Sequence, residues 1–329
     1  MRRTLPFLFL VVFAPGLPAQ QDPMFTKYVF NSLIFNPAVA GSNEHLTLNL
    51  IHRQQWLGFE GAPSTQSLSA HSPLRNERVG IGFSLVNDKA GAAGTLDLST
   101  AYSYRFPLGK NLQLSAGLQA GVTNWRGNWS SLLLEQPGDA VFQENLHRWL
   151  PNFGAGLHLT GKKFYAGIGC PHLLEHRLQG PAAGSTGLFA RVYRHYYFTA
   201  GAAFPLRGDN LVFRPSLLLK STGLFSRFRS DTRLYNIGAP TEADLDVSVF
   251  FIKTFWVGAA YRTTLSGKKS SDDSVDFWAS WHLRNGLRFG AAYDLTLSPL
   301  RKAGNGSFEL MLGYEFDIKV RKAASPRFF

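Results

Sequence analysis

The histidines of one short segment have a spacing that could bind a metal ion. The motif "HLLEH", from His172 to His176, matches the pattern in which a helix presents two histidines to zinc and a glutamate to a catalytic water. Its context argues against that chemistry, because Pro171 precedes it, Gly180 follows shortly and no third ligand stands out. We therefore expect a short loop helix without a metal.

Two further chemical motifs are incomplete. "GLHLTGKK", from Gly156 to Lys163, nearly matches a phosphate-binding loop, but its last position is a lysine where magnesium binding needs Ser or Thr. A tight hairpin is expected at its glycine–lysine pair. The G-x-S-x-G motif of serine hydrolases does not occur, although a barrel could assemble Ser, His and Asp from separate strands. The sequence thus predicts neither an enzyme nor a cofactor.

The amino terminus has the layout of a secretory signal peptide. Arg2 and Arg3 precede an apolar run from Leu5 to Phe13, and small residues and prolines lead to Ala19. The run is much shorter than the about 20 residues that a membrane-spanning helix needs. We therefore predict export, with cleavage near Ala19.

Charge and cysteine content narrow the class of partners. The formal net charge is +12, and loss of the signal peptide with Arg2 and Arg3 lowers it by two. The basic residues are scattered, unlike the clustered pattern of nucleic-acid binding, so we expect anionic lipid and acidic proteins as partners and no nucleic acid. Cys170 is the sole cysteine, which excludes an internal disulfide.

Alternation of apolar and polar residues dominates the rest of the chain. From Asn111 to Thr123, leucine, alanine and valine alternate with glutamine, serine, glycine and threonine, the pattern of a strand with one oily and one wet face. The same pattern predicts fourteen strands, near 44–53, 65–72, 78–88, 95–106, 111–124, 150–160, 163–170, 193–204, 210–221, 243–252, 255–263, 274–283, 287–296 and 306–317. Most have about the 9–11 residues of a tilted transmembrane strand.

The predicted connections form two alternating sets. Longer gaps follow odd-numbered strands, at 54–64, 89–94, 125–149, 171–192, 222–242, 264–273 and 297–305, and shorter ones follow even-numbered strands. This sorting is typical of an up-and-down outer-membrane barrel, whereas a soluble β-protein with a buried oily core has no reason for it. We predict an all-β fold, an antiparallel transmembrane β-barrel of about 14 strands. The even number puts both termini on one side, expected to be periplasmic.

The wet faces of these strands predict a polar lumen. The candidate lumen residues are Asp97, Arg105, Gln119, His158, Arg214, Asp246, Arg288, Asp294 and Glu309. Glycines are frequent on the same faces, where glycine normally weakens a strand. They either make room for a plug or a bound chain, or relieve crowding in a curved sheet.

Several segments together resemble the PorP/SprF family, outer-membrane barrels of the type IX secretion system in Bacteroidetes-type bacteria. "QDPMFTKYVFNSLIFNPAVAGS" opens the expected mature chain at Gln21 as members of that family do. "RQQWLGFEGAPSTQSLSAHSPL", from Arg53, is similar to the family's W-x-G-F-x-G-A-P-x-T-Q signature. Further similar stretches begin at Pro151, Phe164, Arg194, Arg214, Tyr293 and Gly306.

The resemblance implies a role in binding rather than catalysis. Members are needed for the secretion or cell-surface attachment of large cargo, such as adhesin-like proteins with C-terminal sorting domains, and for gliding motility. The implied partners are such cargo, type IX components in the periplasm and outer-membrane lipid. The sequence itself leaves two alternatives: a diffusion channel, which a polar lumen favours, and an outer-membrane barrel hydrolase.

The two family segments supply the candidate partner-binding or plug residues. These are Phe25, Tyr28, Asn31, Asn36, Pro37, Trp56, Gly58, Phe59, Gly61, Pro63 and Gln66. In one interpretation Trp56 and Phe59 form an aromatic ledge on the outer rim, and this ledge or the first segment contacts cargo. In the other, both segments fold inward and plug and stiffen the barrel.

The domain organisation follows from these features. We expect a signal peptide at 1–19, an N-terminal periplasmic or plug segment at 20–43, the barrel at 44–317 and a basic C-terminal tail at 318–329.

Overall fold

A computed structural model describes residues 25–43, 45–75, 77–131, 145–178, 191–208, 210–225, 241–265, 273–298, 301 and 304–316. The predicted signal peptide, the first residues of the N-terminal segment and the basic tail lie outside these residues. Their assignment stays a prediction.

The described chain forms a closed antiparallel barrel of fourteen strands, which confirms the predicted fold. The strands are β1 (Leu46–Gln54), β2 (Ser64–Pro73), β3 (Val79–Ala90), β4 (Ala93–Pro107), β5 (Leu112–Gly127), β6 (Leu146–Gly161), β7 (Phe164–Cys170), β10 (His195–Ala202) continued by β11 (Phe204–Pro205), β12 (Leu211–Thr222), β13 (Glu242–Phe251), β14 (Phe255–Thr264), β15 (Ser274–His282), β16 (Leu287–Thr296) and β17 (Ser307–Phe316). Each pairs with its sequence neighbours, and β1 closes the barrel on β17. Two short strands, β8 (His176–Arg177) and β9 (Arg191–Val192), pair with each other in a separate two-stranded sheet.

The period-two pattern explains which face points inward. On β1, Leu50 is 48% exposed on the outer face while Ile51 next to it is fully buried. On β15, Phe277 is 52% exposed and Asp276 is fully buried. Burying carboxylates while exposing phenylalanine is the reverse of a soluble protein and suits a barrel with lipid outside.

The two ends of the barrel differ in the length of their connections. At one end, here called the turn rim, the strands are joined by short turns, and the first and last strands also begin and end there. The other end, the loop rim, carries the longer loops. One predicted loop, 89–94, is wrong: β3 and β4 continue to a two-residue turn at Gly91–Ala92, where Gly91 has a φ of +57° that favours glycine. No helix among the described residues is long and apolar enough to span a membrane.

Residues Phe25–Asn43, here called the lumen segment, lie inside the barrel. The segment contains a 3-10 helix (Tyr28–Asn31), one α-helical turn (Ser32–Phe35) and a second 3-10 helix (Pro37–Val39). Its largest side chains, including Phe25, Tyr28 and Phe35, are almost fully buried. The segment therefore provides an apolar core inside an otherwise polar lumen.

Candidate functional site

The lumen segment lies between two cavities of different size. A cavity of about 90 Å³ lies towards the loop rim and is lined by Phe25 and Phe35 with residues of the surrounding wall. A larger cavity of about 400 Å³, here called the turn-rim cavity, lies against Val29 to Leu33 on the other side of the segment.

The first residues of the lumen segment are held by a buried charge cluster. The backbone amide of Thr26 donates to Glu309 Oε2 at 2.7 Å, and that of Lys27 donates to Glu309 Oε1 at 3.3 Å. Arg53 binds Asp294 at 2.6 Å and lies 3.5 Å from Glu309. The Thr26 hydroxyl donates to Asp294 and accepts from Arg53. All of these side chains are buried.

Two further cations complete this cluster. Arg262 binds Asp244 at 2.8 Å and donates to the carbonyl oxygen of Phe25 at 3.1 Å. Lys27 forms an ion pair with Asp246, and its ammonium lies 4.4 Å from the centroid of the Trp278 ring. Burial lowers the pKa of Lys27, and the Asp246 carboxylate opposes that shift. The lumen segment thus contributes the positive charge of Lys27, which pairs with a carboxylate of the barrel wall.

The second half of the segment is held by glycines in the opposite wall. A Cβ added to Gly80, Gly117 or Gly169 would lie closer than 3.0 Å to backbone atoms of the lumen segment. The atoms concerned include the carbonyl oxygens of Ala40 and Phe35. At these three positions the glycines make room for a chain inside the lumen, whereas Gly121, Gly154 and Gly258 lie against other parts of the barrel.

Side-chain hydrogen bonds fix the same half of the segment. Asn36 Oδ1 accepts from Ala38 N at 3.0 Å and caps the second 3-10 helix, while Asn36 Nδ2 donates to the carbonyl oxygen of Leu157 at 3.0 Å. Ser103 donates to the carbonyl oxygen of Ala40 at 2.6 Å. Gly41, whose φ is +65°, donates its amide to His71 Nδ1 at 3.1 Å.

The structure separates the candidate partner-binding residues into a lumen set and a rim set. Phe25, Tyr28, Asn31, Asn36 and Pro37 all lie buried in the barrel, where Asn31 donates to Ser67 at 3.1 Å. The remaining candidates, in the loop after β1 and at the start of β2, belong to the wall and the loop rim. Only the lumen set lies inside the barrel and can act as a plug.

Residues 55–63, which contain all of the rim set except Gln66, form a compact loop, here called the rim loop. Trp56 and Phe59 make an edge-to-face contact with ring centroids 6.5 Å apart, and Phe59 is half exposed. Gly58 and Gly61 have positive φ values of +87° and +73°. Pro63 accepts the amide of Gln55 at 2.9 Å.

Contacts with the loop before β17 brace this rim set. The amide of Leu57 donates to the carbonyl oxygen of Gly306, and that of Asn305 donates to Leu57, both at 2.8 Å. Gln66 lies outside the loop, on β2, and accepts from Asn87 at 2.7 Å.

All nine candidate lumen residues lie on the inner face of the wall, at three places. Asp246, Asp294 and Glu309 belong to the charge cluster. His158, Arg214 and Arg288 line the turn-rim cavity, and Arg105 is buried near the same rim, where it donates to the carbonyl oxygen of Glu77 at 2.9 Å. Asp97 and Gln119 line the smaller cavity.

Sequence reasoning missed three cations of the charge cluster. Arg53 and Arg262 occupy alternate positions of their strands that face the lumen. The alternation in the sequence could therefore have identified them as lumen residues. Lys27 lies in irregular chain, where no periodicity assigns a direction.

The "HLLEH" motif lacks the helix that would present its two histidines to one zinc ion. The expected helix is wrong, because 172–175 are irregular and His176 begins the short strand β8. His172 Nε2 lies 3.2 Å from Asp97, whereas His176 Nε2 lies 3.0 Å from the carbonyl oxygen of Pro151. Within the part of the chain that the structure describes, no group of three or more His, Cys, Asp or Glu could hold a metal. The "GLHLTGKK" hairpin is present, with its turn at Lys162–Lys163.

Comparisons with solved structures support the barrel fold. The CymD monoaromatic hydrocarbon channel is 14% identical, with 87% of this chain and 93% of that chain covered and a TM-score of 0.54. The Ralstonia pickettii toluene transporter TbuX is 11% identical, with 86% and 92% covered and a TM-score of 0.50. At such identities the likeness concerns the fold alone.

Sequence comparison identifies the family. Curated protein sequences gave no match. Residues 17–314 match the family described as type IX secretion system membrane protein PorP/SprF. That range includes the lumen segment, the rim loop and nearly the whole barrel. This chain therefore belongs to the PorP/SprF family of type IX secretion membrane proteins and has the fold of an outer-membrane barrel.

Proposed function

We propose that this barrel binds secreted cargo of the type IX system at its loop rim and anchors it at the cell surface. In this proposal both termini and the turn rim face the periplasm, where components of the secretion system are the second class of partner. The cargo is a large protein with a C-terminal sorting domain, as the family resemblance implies. The barrel acts by binding and catalyses no reaction.

The observation that carries the proposal is the preformed aromatic surface of the rim loop. Phe59 is half exposed although its loop is fixed by two glycine turns and by backbone hydrogen bonds to Gly306 and Asn305. An exposed ring on a rigid loop loses little conformational entropy on binding, and such aromatic anchors dominate many protein interfaces. The rim loop is therefore suited to contact a partner.

The lumen segment favours anchoring over the alternative of a diffusion channel. A polar lumen alone would suit small solutes. Here, however, Phe25, Tyr28 and Phe35 fill the middle of the barrel, and the wall glycines accommodate the segment closely. Solute passage would require the segment to leave a network of buried ion pairs.

Affinity purification tests the proposal. Tagged protein from gently solubilised outer membranes is compared with Phe59→Ala, and with Phe225→Ala as a matched control. Phe225 is another exposed ring near the loop rim, three residues after the end of β12. We expect a protein with a C-terminal sorting domain to co-purify with the unchanged chain and with Phe225→Ala, and to be strongly depleted with Phe59→Ala.

Two results would contradict the proposal. Equal recovery of cargo from all three proteins would remove the rim loop from the interface. A barrel that comes out alone and conducts ions in a planar bilayer would favour the diffusion channel.

A further inference from the structure

The turn-rim cavity has the size of a ligand site. Its volume of about 400 Å³ falls in the range of about 300–1,000 Å³ typical of small-molecule pockets. The lumen segment closes one side of it with Phe30, and the inner faces of the strand ends form its walls. Nothing in the proposed contact with cargo uses this cavity, which lies at the opposite end of the barrel.

The charged side chains of the cavity are mostly basic. Its two cations are Arg214 and Arg288, whereas Glu315 is its only acid among the described lining residues; four histidines (His45, His71, His158 and His282) add uncharged ring nitrogens. Arg288 lies 3.1 Å from Glu315, but that carboxylate is 39% exposed and is solvated in part. The cavity therefore has the charge that attracts an anion.

Several buried nitrogen atoms of the cavity walls have no hydrogen-bond partner among the described residues. They are Nδ1 of His158, Nε2 of His282 and Nε of Arg288. His158 as a whole is only 8% exposed. Because buried polar atoms are nearly always hydrogen-bonded in native proteins, these atoms point to a partner that is not part of the described chain. An oxyanion offers several acceptors at once.

The cavity also has an aromatic wall. The guanidinium of Arg214 lies 4.1 Å from the centroid of the Trp256 ring. Phe30 and Phe250 contact the same ring, with centroid distances of 5.2 and 6.3 Å. Rings beside a guanidinium suit a ligand that has both an apolar body and a negative group.

We propose that the turn-rim cavity binds an organic anion. Its carboxylate pairs with Arg288, Arg214 adds positive charge to the same cavity, and its ring or other apolar body packs against Phe30, Phe250 and Trp256. Both parts are required, because the basic and aromatic side chains line the same space. The inference holds whether or not the loop rim binds cargo.

Titration calorimetry on the purified full chain in detergent tests this site. The probe is benzoate, compared with acetate, which lacks the ring, with benzamide, which lacks the charge, and with benzylammonium, which has the opposite charge. We expect benzoate to bind, acetate to bind more weakly, and the other two not to bind. Benzamide binding as tightly as benzoate, or no heat from any probe, would overturn the proposal.

An arginine variant assigns the binding to the cavity. Arg288→Gln should weaken benzoate binding about tenfold or more, because a hydrogen bond to a charged group typically contributes about 1.5–3 kcal/mol. Arg207→Gln is the matched control, since Arg207 is exposed at the same rim and does not line the cavity. An unchanged affinity in Arg288→Gln, with a folded barrel verified by heat modifiability, would contradict the site. If that variant does not fold, the four-probe series still decides.

Discussion

The lumen segment is held by two walls that use different physical means. Its first residues, Phe25–Lys27, contact a wall of β1 and β13–β17 through ion pairs and charged hydrogen bonds. Its later residues, Leu33–Gly41, contact β3, β5, β6 and β7 at glycines that allow the chain to approach the wall closely. The charged wall recognises the charged and hydrogen-bonding groups of the segment, whereas the glycine wall fits the course of its backbone. Side chains of the segment that point away from the glycine wall are not constrained by it.

The charged wall depends on the segment for its own balance. Five buried carboxylates, Asp244, Asp246, Asp276, Asp294 and Glu309, face the wall arginines Arg53 and Arg262, and Arg214 also interacts electrostatically with Asp246. Lys27 and two backbone amides of the segment add the missing positive partners. Because a buried unpaired charge is very costly, removing the segment would destabilise the wall as well as open the lumen.

Removal of a cation from the charged wall should have the largest effect. We expect Arg53→Met to lower the free energy of unfolding by about 3–5 kcal/mol, because Asp294 and Glu309 would lose their shared buried partner. Urea unfolding in phospholipid vesicles measures the loss. Planar-bilayer recording should show increased ion conductance, since the amino end of the segment is held less firmly.

Arg148→Met is the matched control for this prediction. Arg148 is exposed on β6, away from the cluster, and its replacement should change stability by less than about 0.5 kcal/mol. Similar losses in the two variants would show that the charged wall does not hold the segment more firmly than an ordinary surface site.

Crowding of the glycine wall should have the next largest effect. In Gly117→Ala the added methyl would meet the backbone of Pro37 and Ala38, which cannot move aside as a flexible side chain can. We expect a loss of about 1–3 kcal/mol in the free energy of unfolding, measured by urea unfolding in the same vesicles.

Gly290→Ala separates this crowding from the general effect of glycine replacement. Gly290 also lies within a strand, but the atom nearest to its added methyl is the flexible end of Met311. This variant should be nearly neutral. Equal destabilisation by both alanines would refute a special role for the contact with the lumen segment.

The two walls also differ in how far the sequence could predict them. The alternation places Asp246, Asp294 and Glu309 inside, because strand periodicity alone assigns their faces. It cannot show that Glu309 binds the amide of Thr26, which lies 283 positions away. Lys27 is unpredictable for a further reason, since an irregular segment has no periodicity that would orient a side chain.

The glycines illustrate a different limit. The sequence shows that they lie on the inward faces of their strands. It does not show whether they make room for a plug or relieve crowding in a curved sheet, because that depends on where Ala38 and Ala40 lie. The turn at Gly91 shows a similar ambiguity. The small residues around it are equally compatible with a six-residue loop and with two strands that continue to a two-residue turn. Local pattern therefore predicts faces, and only the three-dimensional packing shows what each face contacts.

Loss of the Asn36 side chain, which joins the lumen segment to the glycine wall, should have a smaller effect than crowding of that wall. Asn36→Ala removes the cap on Ala38 and the hydrogen bond to Leu157, which should cost about 0.5–2 kcal/mol. Asn285→Ala is its control, because Asn285 makes a comparable local bond to Leu287 in an exposed turn. The same urea titration distinguishes them, and the control should lose less.

Asn36 also tests whether the glycine wall acts by shape alone. A methyl added to Gly156 would overlap Asn36 Oδ1, so Gly156→Ala should be destabilising in the unchanged chain. In the Asn36→Ala background that overlap is gone, and the same replacement should cost less by about 0.5 kcal/mol or more. Strictly additive losses would mean that the methyl disturbs the strand itself, and the glycine wall would then be explained by curvature at this position. A measured coupling would instead show that the wall and the lumen segment are matched in shape, residue by residue.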